Sequence, residues 1–511
     1  MILVLFTLAF AFSLVFVVYK RHTSYFSHRG IPGPTPEIFL GNLRGFAGGH
    51  PAVKLQEWTK EFGSLYGIQF GFRSAIVISN VNLMQEVFVK QFDAFHGRFL
   101  VSIAPDVDNA EAVHLFDARG KRWKRLRNLS SPLFTIANLK KVLPVLTDSV
   151  DVMVNRVETK TSESECLNIV PFFQELTMDV ILRVAFGESR SQQGEQNEVL
   201  DVAKAMFAQE GLSFFILLAD IFPALAPIIR KLWLASSMFK RNNELFMTEK
   251  LRKVVEERRK TRTGGKKENN RRVDFVDMFL DAECEVSALD NEQGDFDSRG
   301  SKVGKKLSTE EIVLQCLVFL LAGYDTTANA LSFTTFCLAK NPEAQKKVQE
   351  EIDFVFGEDD EVTYEKVHKL IYLDWVMKET LRLYPLAALG VSRECMKTTQ
   401  LENWKIEKGT LVLADVLSTQ RDPKLWGDDA DEFRPERWES GKLNRHPMAW
   451  TPFGAGPRSC VGLRFAYLEE KVAMSRLLRR NSILAVKETE LKLVGATVLN
   501  PEAVNVKVVP R

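Results

Sequence analysis

The sequence predicts a mainly α-helical body with a small β-rich N-terminal lobe, tethered by a single N-terminal transmembrane helix. Three observations carry this. The first nineteen residues, MILVLFTLAFAFSLVFVVY, contain no charge. Two short runs, Tyr66 to Phe70 and Ala75 to Ser79, alternate apolar and polar residues around Gly71-Phe72-Arg73-Ser74, the pattern of a hairpin. Beyond them apolar residues recur at helical spacing almost to the end, with short strand-like runs near 401–415 and 491–509.

At about 1.5 Å per residue the opening run reaches about 28 Å, the thickness of one hydrocarbon core. No basic residue precedes it and no small-x-small site ends it, so residues 1–20 read as a retained anchor rather than a cleaved signal. Lys20, Arg21 and Arg29 follow, and the positive-inside rule puts the rest of the chain in the cytosol. Residues 21–36 read as a stiff basic linker, because Pro32, Pro34 and Pro36 exclude helix. Residues 37–511 then form one catalytic domain. Within it, 212–239 is strongly apolar, but Pro223, Pro227, Asp220, Arg230 and Lys231 argue against a second span. A surface dip into lipid, or a roof over an apolar pocket, fits better. The polar stretches 260–272 and 285–306 read as loops.

Composition excludes several classes. Hydrophobic residues make up 45% of the 511, enough for a large core. Lys and Arg number 68 against 66 Asp and Glu, a net charge of +2, so no nucleic-acid partner is expected. The six cysteines include no CxxC pair, which removes disulfide scaffolds, zinc ribbons and iron–sulfur clusters.

The most informative segment is Phe453-Gly454-Ala455-Gly456-Pro457-Arg458-Ser459-Cys460-Val461-Gly462. Two glycines and a proline force a tight loop, and a helical pattern starts after Cys460. Cys460 therefore sits at a helix start, where free N–H groups and the positive dipole end favour a thiolate. Gly454, Gly456 and Gly462 would leave room for a flat macrocycle, Phe453 would shield the sulfur, and Arg458 could pair with a carboxylate of the ligand.

Ser308-Thr309-Glu310-Glu311 reads as a capping box opening a helix of about 33 residues, which Asn341-Pro342 ends. Midway it carries Ala322-Gly323-Tyr324-Asp325-Thr326-Thr327. A glycine there costs about 1 kcal/mol, and an aspartate in apolar surroundings must find partners. On the segment alone, a helix kink with Thr326 bonded back to a carbonyl one turn earlier is an equal reading. Glu379 and Arg382 share a helix face. Trp123 and Arg127 do so on a basic helix, where Lys121, Arg122, Lys124 and Arg125 read as solvated and available to an acidic redox partner.

The loop FGAGPRSCVG resembles the haem-binding signature of cytochromes P-450, with Phe, Gly, Gly, Arg, Cys and Gly at their spacings. AGYDTT resembles the family's oxygen-activation segment, and KETLRLYP its ExxR element, with Arg437 of FRPERW as the third member. The wording is closest to the microsomal, drug-metabolising clan that includes mammalian family three. The resemblance implies haem b (iron protoporphyrin IX) with Cys460 as axial thiolate ligand, which favours O–O cleavage. Trp123, Arg127, Arg393 and Arg458 would hold the propionates, and Ala322 and Gly323 would open the dioxygen groove. Asp325 and Thr326 would relay protons, while Glu379, Arg382 and Arg437 would form a structural triad. The implied reaction inserts one atom of dioxygen into a small apolar substrate, a xenobiotic, steroid or lipid. Its electrons would come from NADPH through NADPH-cytochrome reductase, with a b-type cytochrome as a further donor. The expected location is the endoplasmic reticulum membrane, on the cytosolic face. Phe99, Phe214, Phe215, Leu321, Ala322, Leu386 and Leu389 are the expected pocket lining. Two rival readings are a reductase-independent haem-thiolate isomerase or dehydratase and a non-catalytic haem carrier or sensor; the presence of Thr326 beside the thiolate loop weighs against both.

Overall fold

The computed structural model describes residues 2–47, 49–104, 106–207, 214–237, 243–263, 274–284, 296–359, 361–439, 445–495 and 498–511. One 32-residue helix, Thr309–Lys340, runs through its centre. The Ser308 hydroxyl accepts from the Glu311 N–H at 3.2 Å, and the Glu311 carboxylate accepts from the Ser308 N–H at 3.2 Å. This is the reciprocal cap expected from the sequence. At the other end Pro342 opens the next helix, Pro342–Phe356. A helix apolar on all sides must lie inside a core. Among the described residues it is the one helix long and apolar enough to cross a membrane by those measures, yet most of that stretch is buried in protein. Helix Val170–Phe186 packs along it, and Ile136–Glu163, Ile371–Leu383 and Leu463–Arg480 complete the bundle.

The hairpin forms as Leu65–Phe70 and Arg73–Ile78, so the turn is only Gly71-Phe72. Gly71 has φ +56°, and the Asp220 carbonyl stands where its Cβ would be, so both backbone and space demand glycine. The β lobe is not purely N-terminal. Arg73–Ile78 pairs in parallel with Leu411–Ala414, which pairs with Ser392–Glu394. Covered on both faces, Ala75 to Ile78 are all buried rather than alternating. A second sheet joins Asn481–Ala485, Asn505–Pro510 and Leu167–Asn168; a two-residue strand has no period to read.

The apolar stretch 212–239 contains two short helices, Phe214–Ile221 and Ala226–Ser237, broken at Pro223; 212–213 and 238–239 lie outside the described residues. The first expected loop is partly helix, since Asn243–Thr263 runs into it, and 264–272 lie outside the described residues. Of the second, 285–295 do so, and the rest is irregular. Helix Ile2–Thr23 precedes everything else.

Candidate active site

The cysteine loop closes when the Cys460 N–H donates to the Phe453 carbonyl at 2.8 Å. Gly454 and Gly456 have φ +71° and +67°, a region that L side chains avoid. Two residues past the cysteine, Gly462 caps helix Leu463–Arg480. Burial pushes the Cys460 thiol up from its ordinary value. The N–H groups of Gly462 and Leu463 and the charges of Arg127 and Arg98 work against that rise. Cys460 has accessible surface even so. The two facts agree if the sulfur lines an interior space rather than the outer surface. Gly456 does not leave room for a macrocycle as expected: the Phe88 carbonyl occupies the place of its Cβ. Gly462 does leave room, its nearest neighbours being Phe134 Cε1 at 3.7 Å and Cys460 Sγ at 4.0 Å. Phe134 also packs, tilted, against Phe319 of the central helix, 5.7 Å between centroids, so one ring bridges the cysteine loop and that helix.

Four guanidiniums gather beside the loop. Arg127 donates to the Ser459 carbonyl at 2.7 Å, and Arg98 to the Gly390 carbonyl at 2.6 Å. Arg458 donates to the Phe116 carbonyl at 3.3 Å and to that of Ala118, with its guanidinium 4.9 Å from the Trp123 ring centroid. Arg393 donates to the Ser392 and Ala455 carbonyls at 2.8 and 3.2 Å. Burial lowers the pKa of each of the four. They also repel one another: Arg98, Arg393 and Arg127 all depress Arg458, and Arg98 depresses Arg393. Asp117 is the carboxylate that acts on both Arg98 and Arg458, and among the described residues the buried Nε atoms of Arg98, Arg393 and Arg458 have no hydrogen-bond partner. Buried cations in excess of anions, with donors to spare, are costly. A ligand carrying two carboxylates would satisfy them, so the residues present fit a haem. Arg98 is the member that sequence reasoning missed.

On the central helix, Thr326 donates to the Ala322 carbonyl at 2.7 Å, the back-bond of the kink reading. That bond leaves the oxygen free to accept, so it is compatible with either reading of Thr326. Ala322 is exposed in the middle of this buried helix, while Asp325 is 2% exposed. Asp325 Oδ2 has no hydrogen-bond partner among the described residues, and burial pushes the carboxyl up to about 7, opposed by a hydrogen bond from Asn329. Asn329 in turn bonds Asn500 at 2.9 Å. A Cβ at Gly323 would meet Ile181 Cδ1 at 3.2 Å, so this glycine lets helix Val170–Phe186 approach. Thr177 on that neighbour donates to the Tyr324 carbonyl at 2.9 Å.

The expected triad is assembled and fully buried. Arg382 Nε and Nη2 donate to Glu379 at 2.9 Å each, and Arg437 Nε at 2.7 Å. Trp438 Nε1 and the Arg434 N–H add bonds of 3.0 Å each. Gln420 connects the triad to the cysteine loop: it donates to the Arg382 carbonyl at 3.0 Å and accepts from the Thr451 N–H at 2.9 Å. The basic helix Gly120–Ser130 is not solvated as expected. Arg125 is 1% exposed and pairs with Glu311, Nη2 to Oε1 at 2.7 Å. Arg122 and Lys124 donate to the Ala110 and Ser301 carbonyls at 2.7 Å each. Two of the expected pocket residues also stand elsewhere: Leu386 packs in core with Phe333 and Leu499, and Phe214 is 71% exposed.

A helical bundle with a glycine-turned cysteine loop, four arginines beside it and an aspartate–threonine pair on the central helix fits a haem-thiolate protein. The Cytochrome P450 family model matches residues 31–508. Relatives in Caenorhabditis elegans include putative cytochrome P450 CYP13A3, 40% identical over 97% of each chain. CYP13A7 is 40% identical over 96% of this chain and 95% of its own, and CYP13A2 39% identical over 99% of each. The chain belongs to the cytochrome P450 family and is a monooxygenase of that family.

Proposed function

We propose that this P450 oxidises small apolar organic compounds at the endoplasmic reticulum membrane, drawing electrons from NADPH through a flavoprotein reductase. The observation that carries the site reading is the arginine cradle beside Cys460, cationic in excess and short of acceptors. Arg98, Arg127, Arg393 and Arg458 would hold the propionates, with Trp123 under Arg458, and Cys460 would hold the iron. When bound, the haem supplies reductive activation of dioxygen and transfer of one of its atoms to substrate. The chain's own part is acid–base and steric. Asp325 keeps a proton near neutral pH and can give it up, while Thr326 offers an acceptor oxygen fixed by its bond to Ala322.

The membrane reading rests on continuity. The end of helix Ile2–Thr23 packs on the body through Tyr19, whose ring lies 5.6 Å from Phe39 and 6.0 Å from Phe72. Phe39 in turn lies 6.3 Å from Phe222. Exposed Ile38, Phe39, Phe222, Leu225, Ile228 and Leu232 extend that apolar surface over the body.

Cys460→Ala tests the site. The purified variant should lose the red-shifted Soret band of the ferrous–CO complex, and a variant that retains it removes Cys460 as ligand. Steady NADPH consumption with reductase and an apolar substrate, yielding oxygenated product, tests the reaction.

A further inference from the structure

Behind the cysteine loop stands a file of aromatic rings that the chemistry above does not use. Phe453, whose carbonyl holds the Cys460 N–H, lies 6.4 Å from Trp450, centroid to centroid. Trp450 lies 5.4 Å from Trp438, and Trp438 lies 5.5 Å from Trp426. A branch runs from Phe453 to Tyr467 at 5.4 Å. Any one of these contacts is ordinary aromatic packing. The file as a whole places two half-buried indoles, the most readily oxidised of the aromatic side chains, between the loop and the surface.

We propose that Trp450 and Trp438 form a one-electron relay that returns electrons to the haem–thiolate centre when it is oxidised and no substrate is present. This rests on Cys460 holding the haem. One electron leaves the Trp450 indole and reduces the centre by one equivalent. Trp438 then reduces Trp450 and is left as a radical cation. A small-molecule thiol outside supplies the replacement electron and loses its proton to solvent, and the thiyl radical left couples with a second one formed in another turn of the relay, giving the disulfide. No bond of the chain is made or broken.

The charges around the rings decide where the electron vacancy stops. Arg445 and Arg382 stand 4.1 and 5.1 Å from the Trp426 centroid, and removing an electron from a ring beneath two cations is unfavourable. Trp438 donates its N–H to the Glu379 carboxylate at 3.0 Å, which Arg382 and Arg437 also hold, so the oxidised indole has an acceptor for its proton. Lys378, 5.9 Å from the Trp438 centroid, is paired with Asp374 at 2.7 Å. Tyr467 is a dead end: its buried hydroxyl has no hydrogen-bond partner among the described residues, and oxidising a phenol requires an acceptor for its proton.

The test uses the full-length haem-loaded protein in detergent, with its ferrous–CO band recorded first. Hydrogen peroxide is then added without substrate, and oxidised residues are mapped by peptide mass spectrometry. Hydroxylated and kynurenine-type products should concentrate on Trp438 and Trp450, spare Trp426 and Tyr467, and disappear when glutathione is present. Trp450→Phe should lose the Trp438 products and bleach its haem faster, and Trp450→Tyr should restore the slower bleaching. The relay is overturned if oxidation follows exposure across the eight tryptophans, or if Trp450→Phe bleaches at the wild-type rate. A missing CO band would instead sink the Cys460 assignment and the relay with it.

Discussion

Asp325 shows how one residue's surroundings set its chemistry. Burial raises its carboxyl from 3.8 to about 7. Between those values the folded chain keeps a proton that the unfolded chain has lost, so this group weakens the fold as pH rises. The penalty is complete above about pH 7. At about 1.36 kcal/mol per unit it amounts to about 4 kcal/mol. Asp325→Asn should therefore stabilise the protein by more at about pH 8 than at about pH 4.5, measured by denaturant unfolding at both. Equal changes would show that the wild-type carboxyl is not held protonated. As a proton donor, wild-type Asp325 should also let product formed per NADPH used decline above neutrality, a decline that Asp325→Asn should lack. At this scale the sequence was readable where residues came with fixed neighbours: Cys460 in its loop, Asp325-Thr326, Glu379 with Arg382. Arg98 has no such spacing partner, because its role arises from loops brought together by the fold. Gly323 and Gly456 carry the expected residue type, but neighbouring chain fills the space their missing side chains leave.

Between elements, the Arg125–Glu311 pair shows the limit of periodicity. The capping box was legible, but nothing local says that Glu311 also meets a cation from the basic helix, or that one face of KRWKRLR turns inward. The pair fixes the start of the central helix to the helix that carries Trp123 and Arg127, so it bears on the cradle as well as on the fold. Arg125→Ala would leave Glu311 charged, fully buried and short of its partner. Breaking such a pair from one side costs about 3–5 kcal/mol. Arg125→Met with Glu311→Leu should cost much less, because both charges leave together. Urea unfolding of the single and double variants checks this. A single variant as stable as the double would mean that solvent reaches Glu311.

Over the whole molecule, the mainly helical class was evident from the apolar periodicity, and the hairpin from its alternation. The sheet order was not. It joins segments more than three hundred residues apart, Ala75 to Leu411, and strand pairing at that range leaves no mark on either segment alone. Likewise the stretch 212–239 could be read as lipid dip or pocket roof, and the packing of Phe222 against Phe39 and Phe72, which both meet Tyr19, joins it to the N-terminal helix. On the membrane reading proposed above, helix Ile2–Thr23 and this surface are two separate contacts with lipid. Deleting residues 2–23 should leave the haem spectrum intact and a substantial share of the protein on vesicles, because the apolar surface around Leu225 and Ile228 remains. Burying one such side chain is worth about 1.5–3 kcal/mol, and each 1.4 kcal/mol is about tenfold in partition. Adding Leu225→Asp and Ile228→Asp to the deletion should therefore cut vesicle binding by about a hundredfold, read by co-sedimentation with neutral phospholipid vesicles. If the deletion alone already releases all of the protein, the surface over 222–232 faces water and the helix is the sole tether.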